Sequence, residues 1–134
     1  MDYPLHIPVA TLSDQERARR EARRLATARG FAPDAVEAVG LAASELASNL
    51  VRHATEGEIV LTGVDSVHGS GVQVESRDDG PGIPDVDSAM QDGFSTSGGL
   101  GSGLPGVRRL MDEFEISSAP NGTRVTTRKW PGTR

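Results

Sequence analysis

Residues 35–55 read AVEAVGLAASELASNLVRHAT, the longest part of the chain with a helical pattern and no proline. At about 100° per residue, its apolar side chains fall on one side of a helix. These residues are Val36, Val39, Ala43, Leu46, Ala47, Leu50 and Ala54. Pro33 and Asp34 suit the first turn of such a helix. The stretch therefore predicts a long helix that packs one face against the core.

Upstream of this helix, the sequence predicts one strand and one further helix. Residues 3–10 alternate apolar and polar side chains well enough for an edge strand. Ser13 and Glu16 have the spacing of a capping box, and Gly30 is a suitable end for the helix that they begin.

Downstream, apolar alternation and turn residues predict strands at 58–65 and 72–77, closed into an antiparallel pair by a loop around Gly69 and Gly71. A helix and a glycine-rich loop are expected next. A short amphipathic helix then follows Gly103, and two more strands are predicted at 114–118 and 123–130. This order predicts an α+β fold: a two-layer sandwich with helices packed on one face of a mixed, mostly antiparallel sheet. At 134 residues, we expect residues 1–134 to form a single domain.

Composition excludes several classes of function. The net charge of −5 does not favour nucleic acid as a partner, and the chain has no cysteine for disulfides or thiolate chemistry. No run of about 18 apolar residues and no secretory leader is present, so we expect a cytoplasmic protein without a membrane partner. An early segment is rich in arginine, and it is interpreted as a solvated helix face or a partner-docking patch: Arg17, Arg19, Arg20, Arg23 and Arg24.

Polar residues on the long helix are the first candidates for chemistry. Glu45 and Asn49 are four residues apart, so their side chains lie on the same helix face, away from the apolar arc. Such a pair is often simply solvated, so the interpretation depends on other motifs.

The second motif is RDDGPGIPD at residues 77–85, in which Asp78 ends an apolar strand. A carboxylate can accept a hydrogen bond from an exocyclic amine such as that of adenine. Gly80 and Gly82 would let a flat base approach the backbone. The same residues would also make an ordinary turn.

The third motif is FSTSGGLGSGLPGV at residues 94–107, where Gly99, Gly101 and Gly103 precede a helix that starts near Leu104. Backbone amides at a helix start attract phosphate, and glycines permit the tight curvature that surrounds phosphate oxygens. The motif lacks the Gly-Lys-Ser/Thr of a Walker A loop, and no strand leads directly into it as in a dinucleotide fold.

Together, the three motifs resemble the nucleotide site of the GHKL superfamily, which includes histidine kinases, type II topoisomerases and small anti-sigma kinases. The resemblance implies that ATP and Mg²⁺ are cofactors, that Asn49 ligates the magnesium, that Asp78 and Thr123 recognise adenine, and that Glu45 is the general base. It implies an ATP site made by Asn49, Asp78, Gly80, Gly82, Gly99, Leu100, Gly101, Ser102, Gly103, Leu104 and Thr123. Arg52 and His53 are left open between a phosphate contact and an ordinary surface position.

Within the superfamily, the chain is most similar to the RsbT-type switch kinases, from SELASN through DGFSTSGGLGSGLPGVRRLMDEFEI to the final KW. This similarity implies a serine/threonine kinase that phosphorylates STAS-domain antagonists of the stressosome and, once released, binds and activates a phosphatase. Two alternatives stay open. One is an anti-sigma factor kinase that sequesters a sigma factor, and the other is a nucleotide-dependent binding module without kinase activity.

Overall fold

The computed structural model describes residues 3–53, 57–79 and 103–132. In chain order, the elements of these segments are β1 (Leu5–Pro8), α1 (Leu12–Ala28), α2 (Pro33–His53), β2 (Gly57–Ser66), β3 (Gly69–Asp78), α3 (Gly103–Leu110), β4 (Glu113–Ala119) and β5 (Gly122–Lys129). The strands and helices predicted at numbered positions are therefore present within the described segments, and the helix expected before the glycine-rich loop lies outside them. None of the described helices is both long and apolar enough to cross a membrane.

The strands form one five-stranded sheet in the order β1-β2-β3-β5-β4. Each pair among these strands is antiparallel, so the parallel pairing allowed by the prediction of a mixed sheet does not occur among the described strands. Strand β1 lies at an edge, as its pattern predicted. The α+β fold class is confirmed.

The β2–β3 hairpin closes more tightly than the sequence suggested. Ser66 pairs with Gly69, which has a φ of +109°, a conformation that glycine adopts without steric cost. Gly71 lies within strand β3 rather than in the loop, where it pairs with Val64. The prediction that Gly71 belongs to the connection was therefore wrong.

Helices cover one face of the sheet, and the core lies between these two layers. Every residue of the predicted apolar arc that the structure describes is buried: Val36, Val39, Ala43, Leu46, Ala47 and Leu50. Ala54 lies outside the described residues. The arc joins one cluster with inward-facing residues of the first three strands, Ile7, Ile59, Leu61, Val72 and Val74. The apolar side chains on one face of α2 and the alternate apolar side chains of the strands thus form one apolar layer.

The opposite face of the sheet is polar. Its central carboxylate, Glu75, is buried and lies between two arginines, with Arg77 Nη2 at 2.9 Å from Oε1 and Arg124 Nε at 3.2 Å from Oε2. Because a buried charge is tolerated only when it is paired, these contacts explain how a glutamate occupies the middle of the sheet.

Helix α1 begins two residues earlier than the prediction. Thr11 is the N-cap, its hydroxyl accepts a hydrogen bond from the backbone N–H of Asp14, and the Asp14 carboxylate accepts from the N–H of Thr11. Ser13, which was predicted to form the capping box with Glu16, lies inside the helix instead. Aspartate at the third helical position made the same reciprocal arrangement available two residues earlier.

The hydrogen bonds of the cap also change the pKa of Asp14. Hydrogen bonds from the backbone amides of Ala10 and Thr11 hold the pKa of the Asp14 carboxyl below its ordinary value. Since this pKa is depressed in the folded state, the associated stability is present at neutral pH and is lost as the pH falls through the pKa of Asp14.

We expect Thr11→Ala to lower the free energy of unfolding by about 1 kcal/mol, because the substitution removes the N-cap acceptor. Ser13→Ala is the matched control and should change it little. Urea denaturation followed by circular dichroism measures both, and a larger loss in Ser13→Ala would restore the original assignment of the cap.

Candidate nucleotide-binding site

Glu45 and Asn49 lie on the C-terminal half of α2, one turn apart. Asn49 is half-buried, whereas Glu45 is only 5% exposed. The sequence placed both on a face away from the core, but residues 42–47 are all buried because α2 is enclosed by α1, α3 and the sheet. Glu45 is therefore a buried carboxylate rather than a solvated one. Burying an ionisable group is costly, and such positions are concentrated at functional sites.

Asp78 and Thr123 meet at one end of the sheet. Asp78 is the last residue of β3, Thr123 is the second residue of β5, and the two are direct partners in the antiparallel register. The Thr123 hydroxyl is hydrogen bonded to that of Ser118 on β4, with 2.9 Å between the oxygens. The two residues that the resemblance assigned to adenine are thus neighbours in the fold, although they are far apart in the sequence.

Gly122 allows this approach. A Cβ atom built on Gly122 would lie 2.4 Å from the backbone carbonyl oxygen of Asp78, a distance that no side chain could accept without movement of the strands. The glycine before Thr123 therefore sets how closely β5 begins against the end of β3.

The C-terminal end of α2 packs over this same end of the sheet. Gly57, the register partner of Asp78, is so close to α2 that a Cβ built on it would lie 2.7 Å from Cδ2 of Leu50. Leu50 directly follows Asn49. The Glu45–Asn49 pair and the Asp78–Thr123 pair therefore border one region of the molecule.

Helix α3 borders the region from a third side. It begins at Gly103, which has a φ of +72°, and both Gly103 and Leu104 are buried. The helix packs against α2. At its other end, the buried Lys129 ammonium donates to the Leu110 carbonyl oxygen at 3.0 Å, which satisfies a carbonyl left free at the end of the helix.

Six further residues of the predicted site lie outside the described residues: Gly80, Gly82, Gly99, Leu100, Gly101 and Ser102. Their assignment stays a prediction. The structure describes the other five and Glu45. Glu45 and Asn49 lie on α2, Asp78 and Thr123 are partners at one end of the sheet, and Gly103 and Leu104 begin α3.

Arg52 makes a contact that bears directly on Asn49. Its Nη2 donates to Asn49 Oδ1 at 2.7 Å, and its Nη1 donates to Ser48 Oγ at 3.0 Å. The Asn49 amide oxygen is thus oriented toward a positive charge. An amide oxygen is a ligand type that Mg²⁺ accepts, and the ion keeps most of its coordination for water and phosphate. Ser48 was not among the predicted site residues, although its spacing of four residues from Arg52 on one helix indicates the contact.

Comparison with known proteins assigns this arrangement to a family. The model of the histidine kinase-like ATPase domain matches residues 9–129. Over 125 residues, the chain is 43% identical to the serine/threonine-protein kinase RsbT of Bacillus subtilis, an alignment that covers 92% of this chain and 94% of that protein. The chain belongs to the histidine kinase-like ATPase family.

Other relatives of this histidine kinase-like ATPase agree. It is 34% identical over 96 residues to an anti-sigma F factor of a Thermoanaerobacter species, covering 68% of this chain and 67% of that protein. A crystal structure of the RsbU and RsbW domains of a Mycobacterium tuberculosis protein superposes with a TM-score of 0.67 at 24% identity, over 96% of this chain and 32% of that one. The structural likeness supports the fold, and the sequence relationship identifies a serine/threonine-protein kinase that uses ATP.

We expect Gly122→Ala to weaken ATP binding by about tenfold, roughly the loss of one hydrogen bond to a charged group, because the added Cβ displaces Asp78 from Thr123. Gly63→Ala is the matched control: the three atoms nearest to its Cβ would all belong to the Arg29 side chain, and Gly63 lies within β2, away from Asp78. Isothermal titration calorimetry measures both affinities. Wild-type affinity in Gly122→Ala would show that this close approach does not shape the adenine site.

Proposed function

We propose that this kinase transfers the γ-phosphate of ATP to a serine or threonine of a STAS-domain antagonist in a bacterial partner-switching pathway. We further propose that the kinase, once released, binds and activates a phosphatase, and that it works in the cytoplasm as a single domain. The similarity to the kinase RsbT over nearly the whole chain supports this assignment.

The observation that carries the proposal is the position of the buried Glu45 one helical turn from Asn49, on the helix that packs over the end of the sheet where Asp78 pairs with Thr123. In this proposal, Asp78 and Thr123 bind adenine, and Asn49 helps to hold magnesium. When bound, the metal would neutralise charge on the phosphates. The glycine-rich residues up to Gly103, followed by Leu104, would surround the phosphates.

In this proposal, Glu45 is the general base. Its carboxylate would accept a proton from the acceptor hydroxyl as the phosphoryl group is transferred. Burial supports this assignment, since a carboxylate screened from water interacts more strongly with charges that develop nearby. Positioning and charge neutralisation should still contribute most of the rate enhancement.

A second candidate function is that of an anti-sigma factor kinase, which would sequester a sigma factor and phosphorylate its antagonist. The 34% identity to an anti-sigma F factor favours it, but that alignment covers 68% of the chain at lower identity than the alignment with RsbT. Partner identity separates the two candidates, because both would use the same nucleotide site.

We expect the purified protein to label a candidate STAS-domain partner from γ-labelled ATP and magnesium. Glu45→Gln should retain nucleotide binding and lose transfer by about 10²- to 10⁴-fold, the usual contribution of a general base. Glu37→Gln is the matched control, an exposed glutamate on the same helix. Asp78→Asn should lose nucleotide binding.

Each alternative has a distinct outcome in this experiment. Equal labelling by Glu45→Gln would remove Glu45 as the base. Nucleotide binding without transfer to any partner would favour a binding module. A complex with a sigma factor in size-exclusion chromatography, with labelling of its antagonist, would favour the anti-sigma reading.

A further inference from the structure

Arg52 donates a hydrogen bond to Asn49, the residue that is proposed to ligate magnesium. Asn49 Oδ1 is the oxygen proposed to ligate magnesium, and the Arg52 guanidinium donates to it at 2.7 Å. Hydrogen bonds from a charged donor are roughly twice as strong as neutral ones. The contact therefore holds the Asn49 side chain in place with a protein cation.

Helix geometry and a second acceptor fix Arg52 in this position. Arg52 follows Asn49 by three residues and Ser48 by four, so all three side chains lie on one face of α2. Ser48 Oγ accepts from the other terminal nitrogen of the guanidinium at 3.0 Å. Two acceptors, both half-buried, orient the planar group toward the amide oxygen.

Magnesium and the guanidinium compete for the same oxygen. A magnesium ion binds its oxygen ligands at about 2.0–2.1 Å, so an ion on Asn49 Oδ1 would lie close to a guanidinium that keeps its own bond to that atom. Their repulsion is large at such separations in a partly buried site. The guanidinium therefore disfavours an ion at this oxygen as long as it keeps its own hydrogen bond to the same atom.

We propose that Arg52 is a built-in competitor of magnesium at Asn49: the ion must displace the guanidinium before it binds, which raises the magnesium concentration that the site requires. This inference rests on the proposed role of Asn49 as a metal ligand. Arg52 acts through Asn49 and is therefore a positioning residue. Its effect appears in the metal dependence of nucleotide binding, in the absence of any turnover.

The test measures binding of a fluorescent ADP analogue, held at a fixed concentration at which binding depends on magnesium, while magnesium is titrated. Arg52→Met keeps an unbranched aliphatic side chain and removes both donors, and it should lower the half-saturating magnesium concentration by about three- to tenfold, the net effect of one hydrogen bond. Ser48→Ala keeps the charge of Arg52 but removes its second acceptor, so it should shift the value in the same direction by a smaller factor.

Arg17→Met is the matched control, since Arg17 is exposed on α1 and the substitution removes the same charge. It should leave the magnesium dependence unchanged, and thermal melting should show that all the variants are folded. An unchanged or raised requirement in Arg52→Met would overturn the inference. So would a shift in Arg52→Met without one in Ser48→Ala, because that result indicates a general charge effect rather than the contact.

Asn49→Ala separates this inference from the proposal on which it rests. Loss of the magnesium response in Asn49→Ala, together with the expected shifts in Arg52→Met and Ser48→Ala, supports both. If Asn49→Ala keeps the wild-type response, Asn49 is not the metal ligand and the proposed site fails. If it loses the response while Arg52→Met matches the wild type, only the competition is overturned.

Discussion

The close packing of α2 against its neighbours is the constraint on which the rest of the structure depends. Small residues make it possible: a Cβ built on Gly40 would lie 2.5 Å from Cγ of Arg23, so α1 lies against the backbone of α2. Alanines at 42, 43 and 47 are buried in the same stretch. Because the helix is enclosed all round over this stretch, Glu45 is buried with it, and a polar residue becomes part of an interior site.

The rest of the site is held by strand register and by the end of the chain. Pairing of β3 with β5 places Asp78 against Thr123, and Gly122 lets the two strands approach. At the far end of α3, Lys129 binds the last turn of the helix. The neighbouring Trp130 packs over Gly71 and donates from Nε1 to a Glu113 carboxylate oxygen at 2.6 Å. The final Lys-Trp pair thus anchors α3, the helix whose first residues border the nucleotide region.

The predictions from sequence agreed best with the structure where a periodic pattern of apolar residues indicated which face of an element is buried. The apolar arc of α2 and the alternating strands were predicted because each period corresponds to a single buried face. Local capping was predicted less well: Thr11–Asp14 and Ser13–Glu16 have the same spacing and compatible residue types, so the sequence pattern alone does not select between them. Gly71 looked like a loop residue because its role, making room for the Trp130 ring, depends on a residue from the other end of the chain.

The sequence by itself determined the fold class, the helix that carries Glu45 and Asn49, and the family, because periodicity and motif order are properties of the chain alone. Only the tertiary structure decided that Glu45 is buried, that Asp78 adjoins Thr123, and that Arg52 rather than solvent meets the Asn49 amide oxygen. The physical reason is that these three features depend on residues from other parts of the chain. A periodic pattern along one helix or strand contains no information about those residues, so it predicts neither burial from several sides, nor strand register, nor the choice of a rotamer.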